Sequence, residues 1–121
     1  MKHYTEEHEW VEIQGDIAIM GLSAHAADEL GDVTYVEFPE IGAEFSQGDT
    51  MLVVESVKAA SDVFAPVSGR VVTVNNALAD RPELINESPE EDGWICRFEG
   101  FDESELENLM TYDEYQSYIN R

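Results

Sequence analysis

The chain has 121 residues, 43% of them hydrophobic, which suits one domain over residues 1–121 with a real core and excludes wholesale disorder. Six basic against 27 acidic residues leave a formal charge of −21, a polyanion that repels phosphate backbones and anionic lipid. Neither nucleic acid nor a membrane is therefore an expected partner, and the single cysteine excludes both a disulfide framework and a four-cysteine zinc site.

In chain order, Trp10-Val11-Glu12-Ile13 and Ile17-Ala18-Ile19-Met20 flank Gln14-Gly15-Asp16 and read as a β-hairpin. Ser23 opens a short helix with Ala24, Ala27 and Leu30 at helical spacing, and Gly31 stops it. Val33 to Phe38 is β-branched and aromatic, and Pro39 ends it. Gln47-Gly48-Asp49 is a turn before the apolar strand Met51–Val54, and a second strand runs from Val63 to Ala65. Pro66-Val67-Ser68-Gly69 turns into the strand Arg70–Val74.

Residues 78–85 are irregular around Pro82, with room for one helical turn, and Gly93 leads into a last strand, Trp94–Phe98. Asp102 with Glu105, and Thr111 with Glu114, have the spacing of capping boxes, so two short helices are expected at the C-terminus. In the first, Leu106, Leu109 and Met110 should share a face. Many short strands separated by Gly and Pro turns indicate a mainly β sandwich or barrel with helices appended. The segments 15–20 and 69–74, each running from a Gly turn into an apolar strand, form a faint internal repeat.

The charges are unevenly placed. Between residues 51 and 80 the only acids are Glu55, Asp62 and Asp80, and the only internal lysine, Lys58, lies in that stretch. Strands so close in sequence pair antiparallel, which puts Lys58 near the tip that joins them, where a side chain projects from the body. A covalent carrier arm needs that placement. The plain alternative is a solubilising surface lysine.

Val54-Glu55-Ser56-Val57-Lys58-Ala59-Ala60-Ser61-Asp62, followed by Ala65-Pro66-Val67-Ser68-Gly69, resembles the lipoylation segment of the glycine cleavage H proteins. His8-Glu9-Trp10-Val11, Gly21-Leu22-Ser23, Leu30-Gly31-Asp32, Val36-Glu37-Phe38-Pro39, Leu84-Ile85-Asn86 and Asp92-Gly93-Trp94 follow in the family's order. Two places depart from it: Glu90 stands where an aromatic is usual, and Cys96-Arg97 where an apolar residue and Lys are usual.

The resemblance implies a lipoyl-type barrel-sandwich hybrid with a short helix in the N-terminal half and helices at the C-terminus. It implies lipoate in amide linkage on Lys58, and a carrier rather than an enzyme. Its partners would be the pyridoxal-phosphate glycine decarboxylase, the folate-dependent aminomethyltransferase, dihydrolipoamide dehydrogenase and a lipoate-attaching enzyme. An aminomethyl thioether is an N,S-acetal whose free amine can expel the thiolate, so the cargo is preserved by keeping that amine protonated. Carboxylates favour the ammonium form. Glu9 and Asp62 match acidic positions that the family sets around its loaded arm, with Glu7 a third candidate; their plain reading is solvated surface acid.

Three alternatives use the same hairpin: a lipoate or octanoate relay to other lipoyl domains, a biotin carrier, and an acidic interaction domain with an unmodified lysine. The first uses Lys58 in the same way. The second is disfavoured because Val57 and Ala59, not methionines, flank the lysine. A bacterial cytoplasm is the expected location, or the mitochondrial matrix for a processed eukaryotic chain. His3, His8 and His25 fit no zinc spacing, so no metal is expected; Cys96 reads as a small buried hydrophobe, Trp10 and Trp94 as core anchors, and Gly21, Gly31, Gly69 and Gly93 as turns.

Overall fold

A computed structural model describes residues 1–121. Nine strands form two antiparallel sheets. The larger runs β1 (Lys2–Tyr4), β2 (Glu9–Gln14), β3 (Ile17–Leu22), β9 (Cys96–Glu99), β8 (Gly69–Val74) and β5 (Glu44–Phe45) in spatial order. The smaller consists of β4 (Val33–Glu37), β6 (Thr50–Ser56) and β7 (Ala60–Phe64), with β6 central. Helix α1 (Ala24–Leu30) leads from β3 to β4, α2 (Ala77–Asp80) and α3 (Leu84–Glu87) lie between β8 and β9, and α4 (Tyr112–Ile119) closes the chain. This is the mainly β, lipoyl-type barrel-sandwich arrangement that the resemblance implies.

Alternation along β2 and β3 divides the apolar residues between two clusters. Val11, Ala18, Met20 and Leu22 join Val54, Val63, Val71, Ile95, Cys96 and Phe98 in the core. Trp10 and Ile19, pointing the other way, pack with Tyr4 and Tyr115. Helix α4 therefore covers what would be the solvent face of the first hairpin, with the Tyr4 and Tyr115 rings stacked 4.5 Å apart. Glu9 is in phase with Val11 and Ile13, the core-facing set of β2.

Several elements depart from the sequence reading. Strands β1 and β5 were not expected: each is too short to show a pattern and exists through its partner, β2 or β8. The stretch around Pro82 holds two short helices instead of one turn. Gly21 lies within β3 and Gly69 opens β8, so neither is a turn; a Cβ on Gly21 would stand 2.9 Å from Trp10 Nε1, and one on Gly69 3.0 Å from the Glu99 carbonyl. The two repeat-like segments, β3 and β8, flank β9 within one sheet.

The first C-terminal helix is a 3₁₀ segment, Glu103–Asn108, and lacks the reciprocal capping box. Asp102 does cap it, accepting from Ser104 N, but the Glu105 carboxylate crosses to the β7–β8 turn and accepts from Ser68 N and Oγ at 2.7 and 2.6 Å. Leu106 and Leu109 pack on the core while Met110 joins the Trp10 cluster, so the three share no face. A tertiary partner has taken the residue that the local motif needed. The second box, Thr111 with Glu114, forms as expected on α4.

Candidate functional site

Three residues, Val57 to Ala59, join β6 to β7, and Lys58 is exposed at this tip. The tip is nonetheless well held. Ser56 Oγ accepts from the backbone N–H groups of Lys58 and Ala59, a hydroxyl-organised turn within one short segment. Val57 N donates 3.0 Å to the Asp32 carbonyl, tying the tip to the chain leaving α1. Lys58 Nζ donates 3.1 Å to the Glu29 carbonyl at the C-terminal end of α1. Gly31, with φ +72°, gives the lysine its space, since a Cβ there would stand 3.3 Å from Lys58 Cε. Ser56, Gly31, Glu29 and Asp32 thus hold the Lys58 tip, a role the sequence reading assigned to none of them. Only Ser56, two residues before the lysine, carried a local signal.

The three acids nominated from sequence sit differently from one another. Asp62 is exposed on β7, beside a depression lined also by Glu7, His8, Leu22, Glu29 and Leu30. Glu9 is 1% exposed and lines a neighbouring depression with Thr5, Phe64, Ala65 and Leu109. Glu7 lines both. The acids therefore form a run of two adjoining hollows, Asp62 on β7 in one, Glu9 on β2 in the other and Glu7 lining both, and do not cluster around one point. Glu9 Oε1 accepts from Thr5 Oγ1 at 2.5 Å and its Oε2 from Phe64 N at 3.3 Å. Burial pushes the Glu9 carboxyl up to about 7, against those two hydrogen bonds, which favour its charged form.

His8 and His25, far apart in sequence, come together with ring centroids 4.8 Å apart, while His3 stays on β1. No local spacing could show this, because the contact joins the start of β2 to α1. Burial pushes the Cys96 thiol well above its ordinary value, as expected of an inert core cysteine. Trp10 is a core anchor, whereas Trp94 is half-buried and carries the Arg97 guanidinium 4.1 Å over its ring. Glu90, the departure from the family pattern, accepts from Tyr4 Oη at 2.6 Å and from Ala24 N at 3.0 Å. It joins β1 to the start of α1, a structural use remote from Lys58.

A two-sheet β body with one lysine presented at a braced hairpin tip defines a cofactor-carrier domain of the lipoyl type. The comparisons give the family. The sequence model of the glycine cleavage H-protein family matches residues 2–121. The glycine cleavage system H protein of Thermotoga maritima is 49% identical over 118 residues, covering 98% of this chain and 95% of the relative. That of Phenylobacterium zucineum is 49% identical over 116 residues, with 96% of each chain covered. In three dimensions the chain is similar to the crystal structure of a glycine cleavage system H protein from Mycobacterium marinum. The TM-score is 0.88 at 34% identity, with 99% of this chain and 97% of that one covered. The chain belongs to the glycine cleavage H-protein family and is a carrier component of that system.

Proposed function

We propose that Lys58 carries lipoate in amide linkage and that the loaded arm rests along β7 with its amine against Asp62, Glu7 and Glu9. The observation that carries this reading is the placement of the internal lysine at an exposed tip leading directly into that acidic run. Lipoate supplies a redox-active disulfide that can accept a one-carbon amine group and later be regenerated. The residues present fit it: Nζ lies at the surface, and after acylation its remaining N–H can still donate to the Glu29 carbonyl. Ser56 and Asp32 fix the direction in which the arm leaves.

The chain's own contribution is to hold a proton on the cargo amine. An ammonium entering the Glu9 hollow brings a positive charge to a carboxyl whose own ionisation burial opposes. Their attraction favours ionised carboxylate and protonated amine together, the carboxyl proton passing to solvent, at a side chain that is itself almost fully buried. Asp62, at the surface, attracts the same charge on its way. In this reading the chain receives the aminomethyl group from glycine decarboxylase and presents it to the aminomethyltransferase. Dihydrolipoamide dehydrogenase then reoxidises it, and a lipoate-attaching enzyme loads it beforehand. Relatives from bacteria support a bacterial cytoplasm as its location. Peptide mapping of protein purified from its native source tests the assignment: the peptide spanning Lys58 should carry the mass of one lipoyl group. A wholly unmodified peptide there would refute it.

A further inference from the structure

Helix α1 places His25 and Glu29 four residues apart, on one face, with His25 Nε2 against a Glu29 carboxylate oxygen. His8 approaches from the chain entering β2. Its φ is +72°, the only non-glycine residue in the left-handed region, where a bulky side chain is unusual. That conformation is pinned from both sides: His8 N donates to the Thr5 carbonyl at 3.1 Å, and Ser23 N donates to the His8 carbonyl at 3.0 Å. The strain brings the His8 ring over α1, 4.8 Å from that of His25.

The other edge of His8 is already committed. Its Nδ1 is hydrogen-bonded to Tyr115 Oη at 2.8 Å, and that buried hydroxyl is bonded in turn to Ser23 Oγ at 2.8 Å. In the tautomer with its proton on Nδ1, His8 donates to Tyr115 Oη, which passes its own proton toward Ser23 Oγ, and Nε2 keeps its lone pair for an ion, an orientation common among metal-binding imidazoles. The ligand atoms of His8, His25 and Glu29 lie within 4.8 Å of one another. Atoms sharing an ion at ~2.1 Å are separated by roughly 3–4 Å, so rotamer adjustment suffices to close the set.

We propose that His8, His25 and Glu29 bind one divalent ion of the borderline transition series, with Zn²⁺ as the representative species. Two imidazoles and one carboxylate suit such an ion, whereas Ca²⁺ and Mg²⁺ take oxygen ligands. The fourth position of a tetrahedral ion is left for water. The ion would join the start of β2 to α1, whose Glu29 carbonyl holds Lys58 Nζ. None of this depends on what Lys58 carries.

The test is Zn²⁺ titration of the full chain by calorimetry in excess Mg²⁺, which occupies the general acidic surface. One Zn²⁺ per chain is expected, with the imidazole NMR signals of His8 and His25, and not those of His3, shifting in step. His25→Ala should weaken binding at least ~tenfold and Glu29→Gln by a smaller factor, while His3→Gln leaves it unchanged. Both helix variants alter partly or fully exposed side chains, and circular dichroism verifies their fold. Weak binding spread over many sites, no binding above the Mg²⁺ background, or 1:1 binding indifferent to His25→Ala would overturn the site.

Discussion

Lys58 and Glu9 lie at opposite ends of β7 and are held in opposite ways. Lys58 is exposed, and the turn that presents it is organised by Ser56 within its own segment, with one brace from Asp32. Glu9 is almost fully buried, held by Thr5 from the preceding loop and by Phe64 from β7. An attachment point must be reached by a modifying enzyme and so has to stand clear of the body. Burial by itself opposes both an ammonium and a carboxylate, but it strengthens the attraction between them, so a carboxyl that holds a charged amine gains from partial enclosure. Asp62, exposed midway, belongs electrostatically with the tip. The difference teaches that the three acids are not interchangeable.

The largest expected effect is at the exposed end. Lys58→Arg should abolish lipoylation, read by intact mass, while leaving the thermal transition nearly unchanged, because an exposed tip side chain contributes little packing. Lipoylated Lys58→Arg protein would break the comparison at once.

Next comes the graded loss along the acidic run. Neither Glu9→Gln nor Asp62→Asn should impair lipoylation, since the arm is then not yet loaded. Spontaneous release of formaldehyde and ammonia from purified, aminomethyl-loaded protein should accelerate in both. A charge-assisted hydrogen bond is worth ~1.5–3 kcal/mol, or about tenfold to a hundredfold in rate. Enclosure puts Glu9→Gln toward the upper figure, and exposure puts Asp62→Asn at or below the lower one. Equal decay in wild type and both variants would remove the resting site and leave the carrier role standing.

The unloaded chain should also show the cost of enclosing Glu9. Its carboxyl titrates near 4.5 when unfolded and at about 7 when folded, so between those values the folded chain binds the extra proton. Stability is then fully present below about pH 4.5 and falls as pH rises through about 7, by up to ~3 kcal/mol from this group alone. Urea denaturation at pH 5 and pH 8 should show the decline, and Glu9→Gln should flatten it. The smallest effect concerns encounter: at −21, association with basic partner surfaces should slow as salt is raised past the ~8 Å Debye length of physiological ionic strength. Stopped-flow rates indifferent to salt would separate the acidity from partner choice.

Strand runs, turn residues and the isolated internal lysine were legible because each is written in neighbouring residues: Val63 is one such, Gly48 another, and Thr111 with Glu114 a third. The same holds for α1, Ala24–Leu30, which Ser23 and Gly31 cap at its two ends. Tertiary structure alone decided that β1 and β5 exist, and that Glu105 caps Ser68 and not its own helix. It also decided that Glu9 is enclosed while Asp62 is open, although the alternation shared with Val11 and Ile13 was a trace of the former. His8 meeting His25 and Tyr115 has no trace at all. The physical reason is range: caps, turns and alternation are interactions over two to four residues, whereas burial and its consequences for a carboxyl or an imidazole depend on segments brought together only when both sheets and α4 close on the core.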